Sequence, residues 1–278
     1  MAGNLGQGQV IDRRASTVLF MKTIFLDGQY LKVNTQILGV FTPGVFKAKG
    51  VFETMLGLDG EVLDTALHLK RLRSGLKILG IKTPSINPSV LKEVLRRNHL
   101  SRGRVRLMVW QAPPHAGQAG QQTRVMAAAL PYKISTKKIY RVCLIKTNRS
   151  ANDRLAGLKS LDYELFAKAT AEARLKGFDE ALLLNRSGTI FEAGRANIFW
   201  MKNKVLYTPP LSSGCLNGIT RQQVIKHAKN LKILVKERNL TPKILKKADA
   251  AFLTNSLIGI KPIGNYDCME GMRIDILH

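Results

Sequence analysis

The sequence predicts a mixed α/β (α+β) chain in two parts. Short runs rich in Val, Ile, Phe and Leu recur along it, cut by Asp-Gly and Pro-Gly breaks that read as strands and turns. Between them lie stretches whose apolar residues return at helical spacing. The 278 residues, 45% hydrophobic and 23% charged, suffice for one large or two modest domains without covalent staples.

Residues 1–20 are rich in Gly, Gln and Ser, have too few apolar positions for a signal-peptide core, and read as a loose extension. The fold proper is expected from Met21, where Lys22 to Leu26, Asp27-Gly28 and Gln29 to Leu31 read as a strand, a turn and a second strand. Val/Phe runs follow, broken by Pro43-Gly44 and Asp59-Gly60. From about Asp64, Leu67, Leu69, Leu72, Leu76 and Leu79 predict a helix ended by Gly80. On it, His68 reads as a packed or capping residue. A second helix is expected over 85–98, with Ile86, Val90, Leu91, Val94 and Leu95 inward. Strands over 104–110 and 124–132 flank a Pro/Gly/Gln loop, 111–123, long enough for a lid or mobile edge.

The basic stretch 133–140 is the expected linker between a smaller domain, 21–132, and a larger one, 141–278. The larger part should hold a strand over 142–147 and a helix over 160–175 stopped by Gly177, with Leu165, Ala169, Ala173 and Leu175 as its apolar positions. Hairpins are expected over 180–192 and 197–208, then a helix over 220–231 and a strand over 233–236. A short helix from Thr241-Pro242 to Ala248 and a strand over 251–256 complete the reading.

The net charge of +25 raises the question of a nucleic-acid partner. The basic residues, however, are spread along the chain and interleaved with apolar positions, with no zinc-finger or RNP-like pattern. A generally basic surface accounts for them, and nucleic acid is not an expected partner. Cys143, Cys215 and Cys268 are odd in number and far apart, so neither a disulfide frame nor a metal site is expected. No apolar run has membrane-spanning length, and a cytoplasmic location is the default expectation.

Candidate site residues fall in four stretches. Lys159 lies between Leu158 and Leu161 at a strand-to-helix junction, the kind of apolar setting that keeps an amine neutral enough to react. Glu192 follows Ile190 and Phe191, where a carboxylate needs a cationic partner. Gly218, Ile219 and Thr220 open a helix and offer an anion seat. Thr254, Asn255 and Ser256 end a strand and can add donors to it.

With GVFET (50–54), HLKRL (68–72), LKSLDY (158–163), GFDEALLLN (177–185), FEAGRANIFW (191–200), LYTPPLSSGCLNGITR (206–221) and LTNS (253–256), the chain resembles the class IV aminotransferase family of fold-type IV pyridoxal 5'-phosphate enzymes. The resemblance runs from about Ile24 to Pro262. It implies two α/β domains with the cofactor between them, in a homodimer acting on an amino-acid-like or carboxylate substrate. Lys159 then matches the Schiff-base lysine and Glu192 the acid facing the pyridine nitrogen. Arg71 matches the phosphate-binding arginine and Tyr163 a tyrosine at the ring oxygen. Gly218, Ile219 and Thr220 match the phosphate turn, and Thr254 to Ser256 its second contact.

Two places depart from the family pattern. Lys47-Ala48-Lys49 precedes GVFET, and Arg195 stands where a small or hydroxylated residue is usual. Lys47, Arg195 and Arg106 are therefore candidates for binding substrate carboxylates. The stretches 216–220 and 254–257 look more like the 4-amino-4-deoxychorismate lyases, which release pyruvate and 4-aminobenzoate, and this is the expected reaction. A branched-chain or D-amino acid aminotransferase is the alternative. A non-catalytic basic nucleic-acid-binding protein is a remote third.

Overall fold

The computed structural model describes residues 22–33, 48–112, 121–264 and 275–276. Among them the first half forms a six-stranded sheet in the order β2-β1-β6-β5-β3-β4. Its strands are β1 (Thr23–Leu26), β2 (Gln29–Lys32), β3 (Gly50–Leu58), β4 (Glu61–Val62), β5 (Arg102–Ala112) and β6 (Gln122–Pro131). Every pairing in it is antiparallel. The Asp27-Gly28 and Asp59-Gly60 turns have positive φ at both central residues, which suits the twist of two-residue hairpins.

Period-two alternation gives this sheet two different faces. Val51, Met55, Val105, Leu107 and Val109 pack under helices α1 (Thr65–Ile78) and α2 (Ser89–Arg97). Phe52, Met108, Trp110 and Met126 lie on the opposite face with Leu161, and the same parity puts Thr54, Arg104 and Arg106 there. In α1 the buried stripe is His68, Leu69, Leu72, Gly75 and Leu76, while Leu67 is exposed rather than inward. Helix α2 begins four residues later than expected. Pro84 and Pro88 hold the preceding chain extended, and Ile86 packs on the core from outside the helix.

The second half contains two further sheets. One has the order β15-β7-β8-β9, from β7 (Val142–Lys146), β8 (Glu180–Leu184), β9 (Ile190–Ala193) and β15 (Asp275–Ile276). The other has the order β12-β11-β10-β13-β14, from β10 (Asn197–Lys202), β11 (Val205–Thr208), β12 (Val235–Glu237), β13 (Ala250–Asn255) and β14 (Gly259–Ile263). Residues of both sheets share a core around Trp200, Leu182, Leu240 and Leu253. Helix α3 (Glu164–Leu175) buries Phe166, Ala169 and Ala173 against β7 and β8. Leu175 is exposed, contrary to expectation.

Helix α3 starts at Glu164, not Ser160, because residues 159–161 are held in an extended bridge to β3. Phe52 N donates to Lys159 O and Leu161 N to Gly50 O, both at 3.0 Å. Helix α4 (Ile219–Asn230) packs near Phe199 and Leu206, and α5 (Pro242–Lys246) is capped by the Thr241 hydroxyl. Strand β14, short and carrying Gly259 and Pro262, is not foreseen from its sequence. The expected 111–123 loop is shorter at both ends, since β5 runs to Ala112 and β6 starts at Gln122; residues 113–120 lie outside the described residues. No helix among the described residues is long and apolar enough to cross a membrane.

Gly50 is where the Lys159 segment crosses the sheet. A Cβ there would lie 2.5 Å from Val109 O, 2.6 Å from Trp110 Cβ and 2.8 Å from Leu161 Cδ1. Gly50→Ala should therefore lower unfolding stability by roughly 1–3 kcal/mol, read as a shifted urea midpoint with an unchanged slope.

Candidate active site

Between the inner face of the first sheet and the ends of β9, β10 and β13 lies a cavity of about 400 Å³, within the size range of small-molecule sites. Its lining includes Arg71, Arg106, Lys159, Tyr163, Glu192, Arg195, Gly218, Ile219, Thr254, Asn255 and Ser256, so nearly all the sequence-predicted site residues meet here. Thr220, the second residue of α4, does not line it. Lys47 lies outside the described residues.

Lys159 reaches the cavity because its backbone is tied to β3. Its Nζ stands 4.5 Å from the Phe52 ring centroid and 5.9 Å from that of Tyr163. Burial pushes the ammonium down to about 8; Arg71 and Arg106 push the same way, while Glu53 and Glu192 oppose them. Glu192 is buried on β9. Burial raises its carboxyl to about 7, against the backbone N–H of Leu216, which donates to Oε2 at 3.2 Å. Burial likewise raises the Tyr163 phenol, so it stays protonated. Its hydroxyl donates to Gly194 O, and its ring stacks on Phe166 at 4.8 Å.

Arg71 is held by Glu53, a residue to which the sequence reading gave no role. Arg71 Nε donates to Glu53 Oε1 at 2.8 Å, and Nη2 to Oε2 at 2.5 Å. Arg71 Nη1 donates to Asn217 O at 3.2 Å, which ties α1 to the turn before α4. N–H groups remain on both terminal nitrogens for a ligand. Burial alone would raise the Glu53 carboxyl, but the Arg71 and His68 contacts outweigh it and hold it below the usual range. His68 is packed, as expected, and fully buried.

Another corner of the cavity is assembled by Asn197. It pairs across the ladder with Thr254, and its Nδ2 donates to Leu216 O at 2.7 Å. The start of α4 is thus drawn against the end of β13. Gly218 allows this approach, since a Cβ there would lie 2.1 Å from Asn197 Oδ1. Thr254 Oγ1 is buried with no hydrogen-bond partner among the described residues. An orphaned hydroxyl beside the free amides of a helix start fits a phosphate group.

The cavity's other wall is cationic. Arg106 lies over the Phe52 ring, 4.3 Å from its centroid. Arg195 Nε donates to Glu180 Oε2 at 3.0 Å, so this guanidinium is partly committed to an ion pair rather than turned wholly to substrate. Arg104 and Tyr132 were not singled out from sequence. Arg104 stands two residues before Arg106 on an alternating strand, so strand period alone could have placed it on the same face. It has no salt-bridge partner among the described residues, and burial lowers its guanidinium, with Arg195 adding to the effect. No group of three potential metal ligands occurs among the described residues.

Residues 50–266 match the family model described as amino-transferase class IV, and the chain belongs to that family. It is 34% identical over 253 residues to the "Putative branched-chain-amino-acid aminotransferase" of Methanocaldococcus jannaschii, covering 88% of each chain. It is 28% identical over 250 residues to the aminodeoxychorismate lyase of Bacillus subtilis, covering 86% of this chain and 85% of that one. The crystal structure of a branched-chain aminotransferase from Thermoproteus uzoniensis with norvaline superposes with a TM-score of 0.76 at 30% identity, covering 87% of this chain and 86% of that one.

The elevated Glu192 carboxyl has a measurable consequence for the ligand-free protein. Its folded value of about 7 exceeds the ordinary 4.5, so its contribution to stability is full below 4.5 and is lost as pH rises through 7. Glu192→Gln should match the parent near pH 4.5 and exceed its unfolding stability above pH 7 by on the order of 3 kcal/mol, read by urea denaturation at each pH.

Proposed function

We propose that this chain is a pyridoxal-phosphate-dependent aminotransferase of the branched-chain type, moving an amino group between an amino acid and a 2-oxo acid. The observation that carries it is Lys159, a buried amine lowered to about 8, sharing one cavity with a buried acid, Glu192, and a phosphate-sized corner at Gly218, Ile219 and Thr254. Pyridoxal phosphate held here would supply an aldehyde for the substrate amine and an electron-accepting ring. Lys159, neutral in an appreciable fraction of molecules near pH 8, takes and returns the α-carbon proton. Glu192 is the acid that would pair with a protonated ring nitrogen, a cation that would also relieve the cost of its burial. Arg71, the first amides of α4 and Thr254 would hold the phosphate, and Phe166 braces the Tyr163 ring in the same cavity.

The substrate side of the cavity is mixed. Phe52, Leu158, Leu257 and Ile258 suit an aliphatic side chain, and Arg104, Arg106 and Arg195 suit a carboxylate. A donor such as glutamate and an acceptor with a branched aliphatic chain can use the same space in turn. The branched-chain aminotransferases named above are the more similar relatives, which favours this reaction over the lyase expected from the 216–220 and 254–257 stretches. The lyase is the second reading, favoured by the arginine-lined wall, which suits a substrate with two carboxylates.

Mixing the loaded enzyme with glutamate should move the cofactor absorbance to the amine form, and a 2-oxo acid should restore it; release of pyruvate and 4-aminobenzoate from aminodeoxychorismate would instead establish the lyase. Carbamylation of Lys159 by cyanate in ligand-free protein, followed by mass spectrometry, should rise with pH and level off above about 8, well below exposed lysines. Arg104→Gln and Arg106→Gln should each raise KM for glutamate about tenfold or more while changing KM for leucine little, read from initial rates.

A further inference from the structure

The Ser256 hydroxyl, in the cavity lining, lies 3.2 Å from Nε2 of the buried His68. On the other side of that ring, Nδ1 is 2.7 Å from Glu53 Oε2. The three residues come from the turn after β13, from α1 and from β3. The charged groups around His68 are Glu53 on β3 and Arg71 on α1, and both interact electrostatically with Lys159. The turn that carries Ser256 contributes no charge. It is fixed by Asn255, whose Oδ1 accepts from Leu257 N and Ile258 N at 2.9 Å.

We propose that Glu53 and His68 are positioning residues that set the direction of the Ser256 hydroxyl hydrogen, so that seating a phosphate ester in this corner draws a proton onto His68. This rests on the cofactor reading above for the identity of the anion. An ionised Glu53 can only accept, so Nδ1 carries a hydrogen and donates to it. Nε2 is then the variable atom. When it is bare, it accepts the serine hydrogen, and the hydroxyl turns only lone pairs toward the cavity. When it carries a hydrogen, it donates to Oγ and frees the serine hydrogen for an anion. A phosphate beside Ser256 selects the second arrangement, since the first sets lone pairs against its oxygens. The proton comes from solvent, and no bond other than N–H is made.

The test uses pyridoxine 5'-phosphate, which has no aldehyde and binds without engaging the Lys159 amine covalently. Calorimetric titration in buffers of different ionisation heat at pH 7 and pH 8 counts the protons taken up per ester bound. Protons exchanged at the ring nitrogen and at Glu192 are common to all variants and cancel in the differences. The parent should take up more protons than Ser256→Ala and His68→Gln at both pH values. His68→Gln, whose amide can donate to Ser256 without titrating, should keep affinity within a few-fold of the parent and lose the excess uptake. Ser256→Ala leaves the Glu53 ion pair intact and should bind the ester about tenfold more weakly. Equal uptake by all three proteins with binding intact would overturn the inference alone. Failure of the parent to bind the ester would overturn the cofactor reading and this inference with it.

Discussion

The site depends on a few backbone hydrogen bonds, those joining residues 159–161 to the first residues of β3. They carry Lys159 out of the second half of the chain and onto the sheet of the first. Glu192, Thr254 and the start of α4 belong to the later sheets, while Arg71, Arg104 and Arg106 belong to the earlier elements. Without the bridge these groups would have no common frame. Backbone pairing suits the task, because it fixes the direction of the lysine more tightly than side-chain packing alone.

Electrostatics inside that frame is arranged by pairing rather than by exclusion. The basic residues at the cavity are many, but Arg71 is clamped by Glu53 and Arg195 is shared with Glu180. Lys159 and Glu192 are treated differently. Neither has a salt-bridge partner among the described residues, and burial shifts each toward its neutral form. The protein thus keeps the Lys159 amine and the Glu192 acid in a costly state and its paired ions in a satisfied one. Such a division is common where binding of a ligand supplies the missing partner.

Much of this was legible in the sequence, for physical reasons that can be named. Residues 102–107 of β5 alternate, and an Asp-Gly turn joins β1 to β2, so β1, β2 and β5 read clearly. Lys159, Glu192 and Gly218 stand out because polar or flexible residues interrupt apolar runs. Other features were not local. The delayed start of α3 reflects pairing of residues 159–161 with β3, more than a hundred positions away, which overrides their helical pattern. Leu67 and Leu175 fit the helical period but lie at the margin of the buried stripe. Glu53 looked like one more carboxylate in a strand, and only the packing of α1 on β3 brings it to Arg71. Strand β14 has no apolar alternation, since it is largely exposed and stabilised by its ladder with β13.

The contact between Asn197 and Gly218 sets a limit on how this sequence can drift. The amide side chain occupies the volume that any larger residue at 218 would need. Shortening residue 197 would open that volume but release the Leu216 carbonyl and slacken the helix start. Neither position can change first without loss, so an evolutionary path through this corner has to alter both together.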